Sequence, residues 1–114
     1  MNEQELSEMH KALSVPVRLK ILRLVSQRPM CVNAITRRLT ISQPGVSQHL
    51  AVLKRAGLVK GEKRGYMVHY TLNRSKLQEF RGAVAGFLEE GLARKEERLQ
   101  RNLLPEAGSA QGKA

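Results

Sequence analysis

A mainly α-helical domain with one small β-hairpin is the fold class that the sequence predicts, and three observations predict it. Apolar residues recur with the 3.6-residue period of a helix in four stretches before residue 57. After Gly57 the period becomes the alternation of two short strands around a glycine-containing turn. A long stretch after Asn73 returns to the helical period. We therefore predict four helices, a hairpin and a fifth helix as one domain over 1–104, with 105–114 as a disordered tail.

The first two helices are predicted from their apolar stripes and their boundaries. Ser14 is expected to cap the second helix, and Pro16 suits its first turn, where the missing N–H costs little. Arg28-Pro29 is expected to end this helix. The stripe of the first helix is Leu6, Met9 and Leu13; in the second, Val17, Ile21, Leu24 and Val25 are expected to face inward and Arg18, Lys20 and Arg23 to face water.

A helix-turn-helix is predicted over residues 32–56. Only Thr40 and Ile41 separate a short third helix from the fourth, which leaves room for a tight turn and nothing more. Ser42 is expected to cap the fourth helix, and Gly57 suits a left-handed position after its end. Two helices joined in this way place the second for a DNA major groove. The residues expected to face the core are Val32, Ile35 and Leu39 in the third helix and Val46, Leu50 and Leu53 in the fourth.

The opposite face of the fourth helix has the composition of a surface that contacts DNA. The stretch 40–57 contains no acidic residue, so nothing on it repels phosphates. Short, neutral, hydrogen-bonding side chains lie near the start of this helix, and two cations lie near its end. Such side chains can approach base edges. The predicted base contacts are Gln43, Ser47 and Gln48.

The hairpin is predicted to be the wing of a winged helix-turn-helix. Its strands are expected at 58–62 and 66–72, around a cationic turn, Lys63-Arg64-Gly65. Tyr66 and Tyr70 are expected to pack the hairpin, because winged helices read duplexes and do not stack on unpaired bases. The side chains predicted to contact the DNA backbone or a minor groove are Ser42, Thr36, Arg37, Lys54, Arg55, Lys63 and Arg64.

Positive charge is concentrated in the middle of the chain. The formal net charge is +10, and residues 15–81 contain fourteen Lys or Arg against two Glu. Such a block is typical of proteins that bind a polyanion, because neutralised phosphates release counterions. Two alternatives stay open from charge alone, namely a surface that only maintains solubility and a surface that binds membranes.

The sequence also predicts a cytoplasmic location without a membrane partner. It contains no run of some 18 apolar residues, and its acidic start differs from a signal peptide. The single cysteine, Cys31, cannot form an intrachain disulfide, which fits a reducing compartment. It also excludes a Cys₄ or Cys₂His₂ zinc site within one chain.

The last helix, which Asn73 is expected to cap, is more apolar than so small a core requires. A homodimer explains this excess and lets two recognition helices read two half-sites. The alternative is that the helix closes the core of its own chain. The residues predicted at the dimer interface are Leu6, Met9 and Leu13 from the first helix and Phe80, Val84, Phe87, Leu88 and Leu92 from the last.

Three runs together resemble the ArsR/SmtB (arsenic-repressor) family of bacterial winged-helix regulators. They are A-L-S-V-P-V-R-L-K-I-L at 12–22, S-Q-P-G-V-S-Q-H-L-A-V-L-K-R-A-G-L-V at 42–59 and Y-M-V-H-Y-T-L at 66–72. The resemblance implies a dimer whose first and last helices form the interface. It also implies a repressor that leaves its operator when an effector, often a metal ion, binds.

The sequence departs from this family at the effector sites. Where metalloid-sensing relatives carry C-V-C, this chain has Cys31-Val32-Asn33, and its last helix lacks the His and Asp of zinc-sensing relatives. No metal or cofactor is therefore expected. Cys31 is interpreted as a buried apolar residue or a thiol sensor, and His49 as a packing residue or partner in a local hydrogen bond. His10 and His69 are expected to lie far apart.

We interpret the sequence as a sequence-specific, dimeric transcriptional repressor released by an unidentified small-molecule or redox effector. An enzyme is not expected, because no carboxylate pair, phosphate-binding loop or nucleophile–base pair is recognisable and the chain contains no Asp. Two rival hypotheses are kept. One is a winged helix that organises DNA without sequence preference, and the other is a winged helix that binds another protein.

Overall fold

The fold was analysed in a computed structural model, which describes residues 1–103. The predicted tail at 105–114 lies outside the described residues, and the single domain over 1–104 stays a prediction. The described chain forms two compact units, Met1–Arg81 and a second that begins at Gly82. No helix within residues 1–103 is long and apolar enough to cross a bilayer. The elements are α1 (Glu3–Leu13), α2 (Pro16–Gln27), β1 (Met30–Cys31), α3 (Val32–Arg37), α4 (Gln43–Arg55), β2 (Val59–Arg64), β3 (Met67–Leu72) and α5 (Arg74–Leu103).

The sheet has three antiparallel strands in the order β1-β3-β2, one more than the predicted hairpin. Strand β1 is only two residues long, which is too short for an alternation of apolar and polar residues to predict it from the sequence. It pairs Met30 with Tyr70 and Cys31 with His69. The strand therefore attaches the start of α3 to the sheet.

The hairpin turn lies two residues later than predicted. Lys63 and Arg64 belong to β2, and the turn is formed by Gly65 and Tyr66. Gly65 has φ 63° and is followed by a residue with negative φ, which is the pattern of a type II′ hairpin turn. The packing role expected of Tyr66 is wrong, because its side chain is fully exposed at the tip, whereas Tyr70 packs against the core.

Two expectations about the second helix are also wrong. The N-cap residue of α2 is Val15, without a side-chain bond, because the hydroxyl of Ser14 donates instead to the carbonyl of Lys11 (2.8 Å) at the end of α1. Arg18 does not face water, since it is half-buried and bonded to other helices. Pro16 does occupy the first turn, as predicted.

The core lies between the helices and one face of the sheet. It buries the inner face of α4 almost completely, with Val46, Leu50 and Leu53 at 0%, 2% and 0% exposure. These are the three positions that the helical period predicts. The other buried residues are Met9, Ala12, Ile21, Leu22, Val25, Met30, Ile35, Leu58 and Val59.

The C-terminal end of α4 is closed by a Schellman motif. The N–H of Leu58 donates to the carbonyl of Leu53 (2.9 Å), and the N–H of Gly57 donates to that of Lys54 (2.9 Å). Gly57 has φ 79°, so the predicted left-handed position is confirmed. Leu58 and Leu53 are both fully buried, which adds the apolar contact that accompanies this motif.

Asn73 joins the end of α4 to the start of α5. Its amide Nδ2 donates to the carbonyl of Gly57 (2.8 Å), and its Oδ1 accepts from the N–H of Lys76 (3.3 Å). Asn73 therefore caps α5, as predicted, and also ties the residue that follows the C-cap of α4 to the start of α5.

We predict that Gly57→Ala lowers the free energy of unfolding by about 1–2 kcal/mol. The new side chain meets only the flexible chain of Lys76, at 3.4 Å, so the cost comes from the left-handed backbone. Urea unfolding would measure it. Gly86→Ala is the control, because a Cβ there meets nothing within 4 Å and Ala favours a helix by about 1 kcal/mol. Equal effects of the two substitutions would contradict the backbone explanation.

Candidate nucleic-acid interface

The first turn of α4 is held by its N-cap. The hydroxyl of Ser42 accepts from the N–H of Gly45 (3.2 Å), and Pro44 lies in the first turn, as predicted. Because this hydroxyl only accepts within the protein, its own hydrogen stays available to donate outside. The cap thus begins the helix and leaves one donor beside its exposed N-terminal end.

The three predicted base-contacting side chains are all exposed on α4. Gln43 donates from Nε2 to the hydroxyl of Ser47 (3.3 Å), so these two side chains already form a pair one turn apart. Gln48 follows Ser47 directly and is exposed as well. The outer face therefore presents amide and hydroxyl groups without a carboxylate.

The helix-turn-helix also carries exposed cations. Lys54 and Arg55 lie in the last turn of α4, and Arg37 lies in the last turn of α3. Thr36 differs, because its hydroxyl donates to the carbonyl of Val32 (2.7 Å) in its own helix. The hydrogen of that hydroxyl is therefore not free for a phosphate.

The wing places the two cations nearest its tip on opposite faces. Lys63 and Arg64 are neighbours in β2, and neighbouring side chains in a strand point to opposite sides. Arg64 also forms an ion pair with Glu62 (3.0 Å), in which both side chains are more than half exposed. The positive charge of Arg64 is therefore partly compensated before any partner binds.

His49 contacts a residue far away in the sequence. Its ring Nδ1 accepts from Nε of Arg18 (3.1 Å). The prediction of a local hydrogen bond is wrong, because the bond that His49 makes joins α4 to α2. No helical period signals it, because Arg18 has the spacing of a water-facing residue.

Cys31 and His69 lie close together in the sheet. Cys31 is half-buried at the start of α3 and lies directly opposite His69, whose Nδ1 is buried without a partner. Among residues 1–103, no three His, Cys, Asp or Glu side chains are grouped so as to hold a metal ion. The proximity of Cys31 and His69 was not predicted from the sequence, because strand β1, which places Cys31 opposite His69, was not predicted.

The predicted interface residues differ in exposure. In the first unit, Met9 is 3% exposed and belongs to the core of its own chain, whereas Leu13 and Phe80 are partly buried against that core and Leu6 is partly buried as well. In the second unit Val84 is half-buried. The large apolar side chains exposed on this part of α5 are Phe87, Leu88, Leu92, Leu99 and Leu103, of which the last two were not predicted.

Residues 15–60 match the family described as "Bacterial regulatory protein, arsR family". The chain is 33% identical over 86 residues to the transcriptional repressor SdpR of Bacillus subtilis, an alignment that covers 75% of this chain and 96% of SdpR.

Solved structures similar to this chain include two bacterial proteins. An ArsR-like transcriptional regulator from Rhodococcus sp. RHA1 superposes with a TM-score of 0.70 at 28% identity, over 85% of this chain and 88% of that one. The homodimeric winged helix-turn-helix DNA-binding domain of Mb0332 from Mycobacterium bovis superposes with a TM-score of 0.63 at 26% identity, over 76% and 80%. The chain belongs to the arsR family of bacterial regulatory proteins, and it is a DNA-binding transcriptional regulator with a winged helix-turn-helix fold.

Proposed function

We propose that this chain is a homodimeric, sequence-specific repressor that reads its operator with the outer face of α4. The observation that carries the proposal is the division of α4 into two faces. Val46, Leu50 and Leu53 are buried, so the acid-free polar face must point outward. The similarity to SdpR, a transcriptional repressor, supports the direction of regulation.

Base recognition is assigned to Gln43, Ser47 and Gln48. A glutamine amide can donate to and accept from the N6/N7 edge of adenine at once, and a serine hydroxyl can bond to several bases. The bond between Gln43 and Ser47 holds both side chains in one orientation before DNA arrives. Gln48 then supplies an amide on the same exposed face.

Backbone contacts are assigned to side chains around this face. The Ser42 hydroxyl can donate to a phosphate beside the N-terminus of α4, where the helix dipole also favours an anion. Thr36 is omitted because its hydroxyl donates within α3. The proposed cationic contacts are Arg37, Lys54, Arg55, Lys63 and Arg64.

A homodimer is proposed from the exposed apolar side chains of α5. Phe87, Leu88 and Leu92 are 61%, 55% and 62% exposed, and water-exposed groups of this size favour burial against a partner. A two-fold pair would place two copies of α4 at half-sites about one helical turn apart. The homodimeric state of the similar Mb0332 domain supports this assembly.

Release is proposed to use an effector other than a metalloid held by a cysteine pair. The chain has one cysteine, and one thiolate does not supply the two or three sulfur ligands that a soft ion requires. The effector is instead a small molecule or an oxidant in the cytoplasm.

Selection of duplexes from a random library, followed by titration at one salt concentration, tests this function. A repressor should prefer the selected duplex over random DNA by about 10³ or more. Equal affinities would favour a DNA-organising protein, and no binding at all would favour a protein-interaction module; either result would overturn the proposal.

Gln48→Ala should weaken binding to the selected duplex by about 1–3 kcal/mol and leave random-duplex binding nearly unchanged, because only base contacts distinguish sequences. Gln78→Ala, an exposed glutamine on α5, is the matched control and should change neither affinity. A Gln48 variant that loses affinity for both duplexes equally would show that this side chain does not read bases.

Glu62→Gln should strengthen binding to both duplexes and steepen the salt dependence, because it frees Arg64 from its ion pair. Arg64→Gln should do the reverse and reduce the slope by about 0.9 for one lost phosphate contact. Glu79→Gln is the control, because it changes the net charge by the same amount as Glu62→Gln. Glu79 pairs with Lys76 outside the proposed interface, so this substitution should have little effect on DNA binding. Salt-series titrations measure all three, and identical slopes for all three variants would rule out the wing contact.

Leu88→Glu should weaken dimerisation by at least about tenfold, because burying an unpaired carboxylate in an apolar interface is unfavourable. Leu19→Glu is the control, since Leu19 is 43% exposed on α2 and outside the proposed interface. Sedimentation equilibrium measures the dissociation constant. An unchanged constant for Leu88→Glu would remove this part of α5 from the interface.

A further inference from the structure

Arg18 connects three helices through one side chain. Its Nε donates to Nδ1 of His49 in α4 (3.1 Å), while Nη1 donates to the carbonyls of Lys11 (3.2 Å) and Ala12 (3.4 Å). Arg18 itself lies in the first turn of α2. The guanidinium therefore joins the end of α1 and the start of α2 to the middle of α4.

Each contact suits the chemistry of a guanidinium. The last carbonyls of a helix carry partial negative charge, so the end of α1 favours a cation even though the carbonyl of Lys11 also accepts from Ser14. A guanidinium has only donors, so Nδ1 of His49 must be the acceptor. The bond therefore requires a ring whose hydrogen is on Nε2.

This contact adds a directional constraint to the packing of the apolar core. Burial of Val46, Leu50 and Leu53 decides which face of α4 lies inside, but the hydrophobic attraction that drives it is itself non-directional. A hydrogen bond weakens steeply when its angle departs from linear, so the bond to His49 resists a rotation of α4 about its axis. His49 directly follows Gln48, so a rotation of one residue moves the other.

We propose that Arg18 is a positioning residue for DNA recognition, which fixes the rotation of α4 relative to α1 and α2 by donating to His49. This inference rests on the proposed base reading by α4. In this proposal, His49 accepts the hydrogen bond from Arg18. His49 is not required to contact a base or to bind a metal. A displacement of the end of α1 would change the hydrogen bonds of this guanidinium and, through His49, the orientation of the base-reading side chains.

The test compares variants that remove the bond with one that keeps it. His49→Leu removes the acceptor, whereas His49→Asn retains an oxygen near the position of Nδ1. We expect His49→Leu and Arg18→Met to lower the preference for the selected duplex about tenfold, within the usual range of coupling between sites. His49→Asn should stay within about threefold of the wild type, and the double variant Arg18→Met/His49→Leu should lose no more than either single variant.

Two controls separate positioning from charge and from folding. Arg23→Met removes an exposed cation from the same helix and should keep the preference for the selected duplex. Arg18→Lys retains the charge but cannot reach His49 and both carbonyls with one ammonium group, so it should lose preference as Arg18→Met does. If Arg18→Met fails to fold by circular dichroism, the lysine variant decides the outcome.

Three results would each overturn the inference. The first is that His49→Asn loses as much preference for the selected duplex as His49→Leu, and the second is that the losses add in the double variant. The third is that the variants lose equal affinity for selected and random DNA. A measurement made without DNA tests the Arg18–His49 contact independently of the proposed function. The ¹⁵N spectrum of His49 should show an unprotonated Nδ1 in the wild type, and a proton on Nδ1 would refute the contact. The wild type could show an unprotonated Nδ1 but no sequence preference. That result would refute the proposed base reading, and with it the positioning role, while the Arg18–His49 contact would stand.

Discussion

Burial of the inner face of α4 is the constraint on which the rest of the structure depends. Val46, Leu50 and Leu53 leave water together, which stabilises the fold and at the same time decides which side chains remain outside. Both ends of the helix are then closed by local hydrogen bonds, at Ser42 and at Gly57. Asn73 extends the second closure to α5. The same contacts that stabilise the protein therefore define the face that is proposed to bind DNA.

Positively charged side chains surround the outer face of α4, but their charge does not determine which DNA sequence is bound. Exposed cations on α3, α4 and the wing attract any duplex, because every duplex presents phosphates. In the proposed function, the neutral amides and hydroxyl of α4 distinguish one duplex from another. The ion pair of Arg64 with Glu62 would moderate the general attraction, since a weaker general attraction raises the fraction of binding that depends on bases. Under this proposal, affinity and specificity reside on different side chains.

The sequence predicted the elements whose signals are local, and it missed those that depend on tertiary contacts. The period of α4, its caps and the glycine at its end all lie within about fifteen consecutive residues. Strand β1 is too short for a period, and its partner lies in β3. Arg18 has the spacing of a surface residue, but packing brings His49 and the end of α1 around it. Met9 was predicted for an interface, although the core of its own chain already buries it.

The central claim is that the outer face of α4 reads base edges. The most direct measurement is a ¹⁵N NMR titration of the side-chain amides of Gln43 and Gln48 with the selected duplex and with random DNA at equal salt. The account predicts that both amide signals shift strongly with the selected duplex and little with random DNA, while signals of the wing shift with both. Equal responses of the glutamine amides to the two duplexes, or responses confined to the wing, would contradict it.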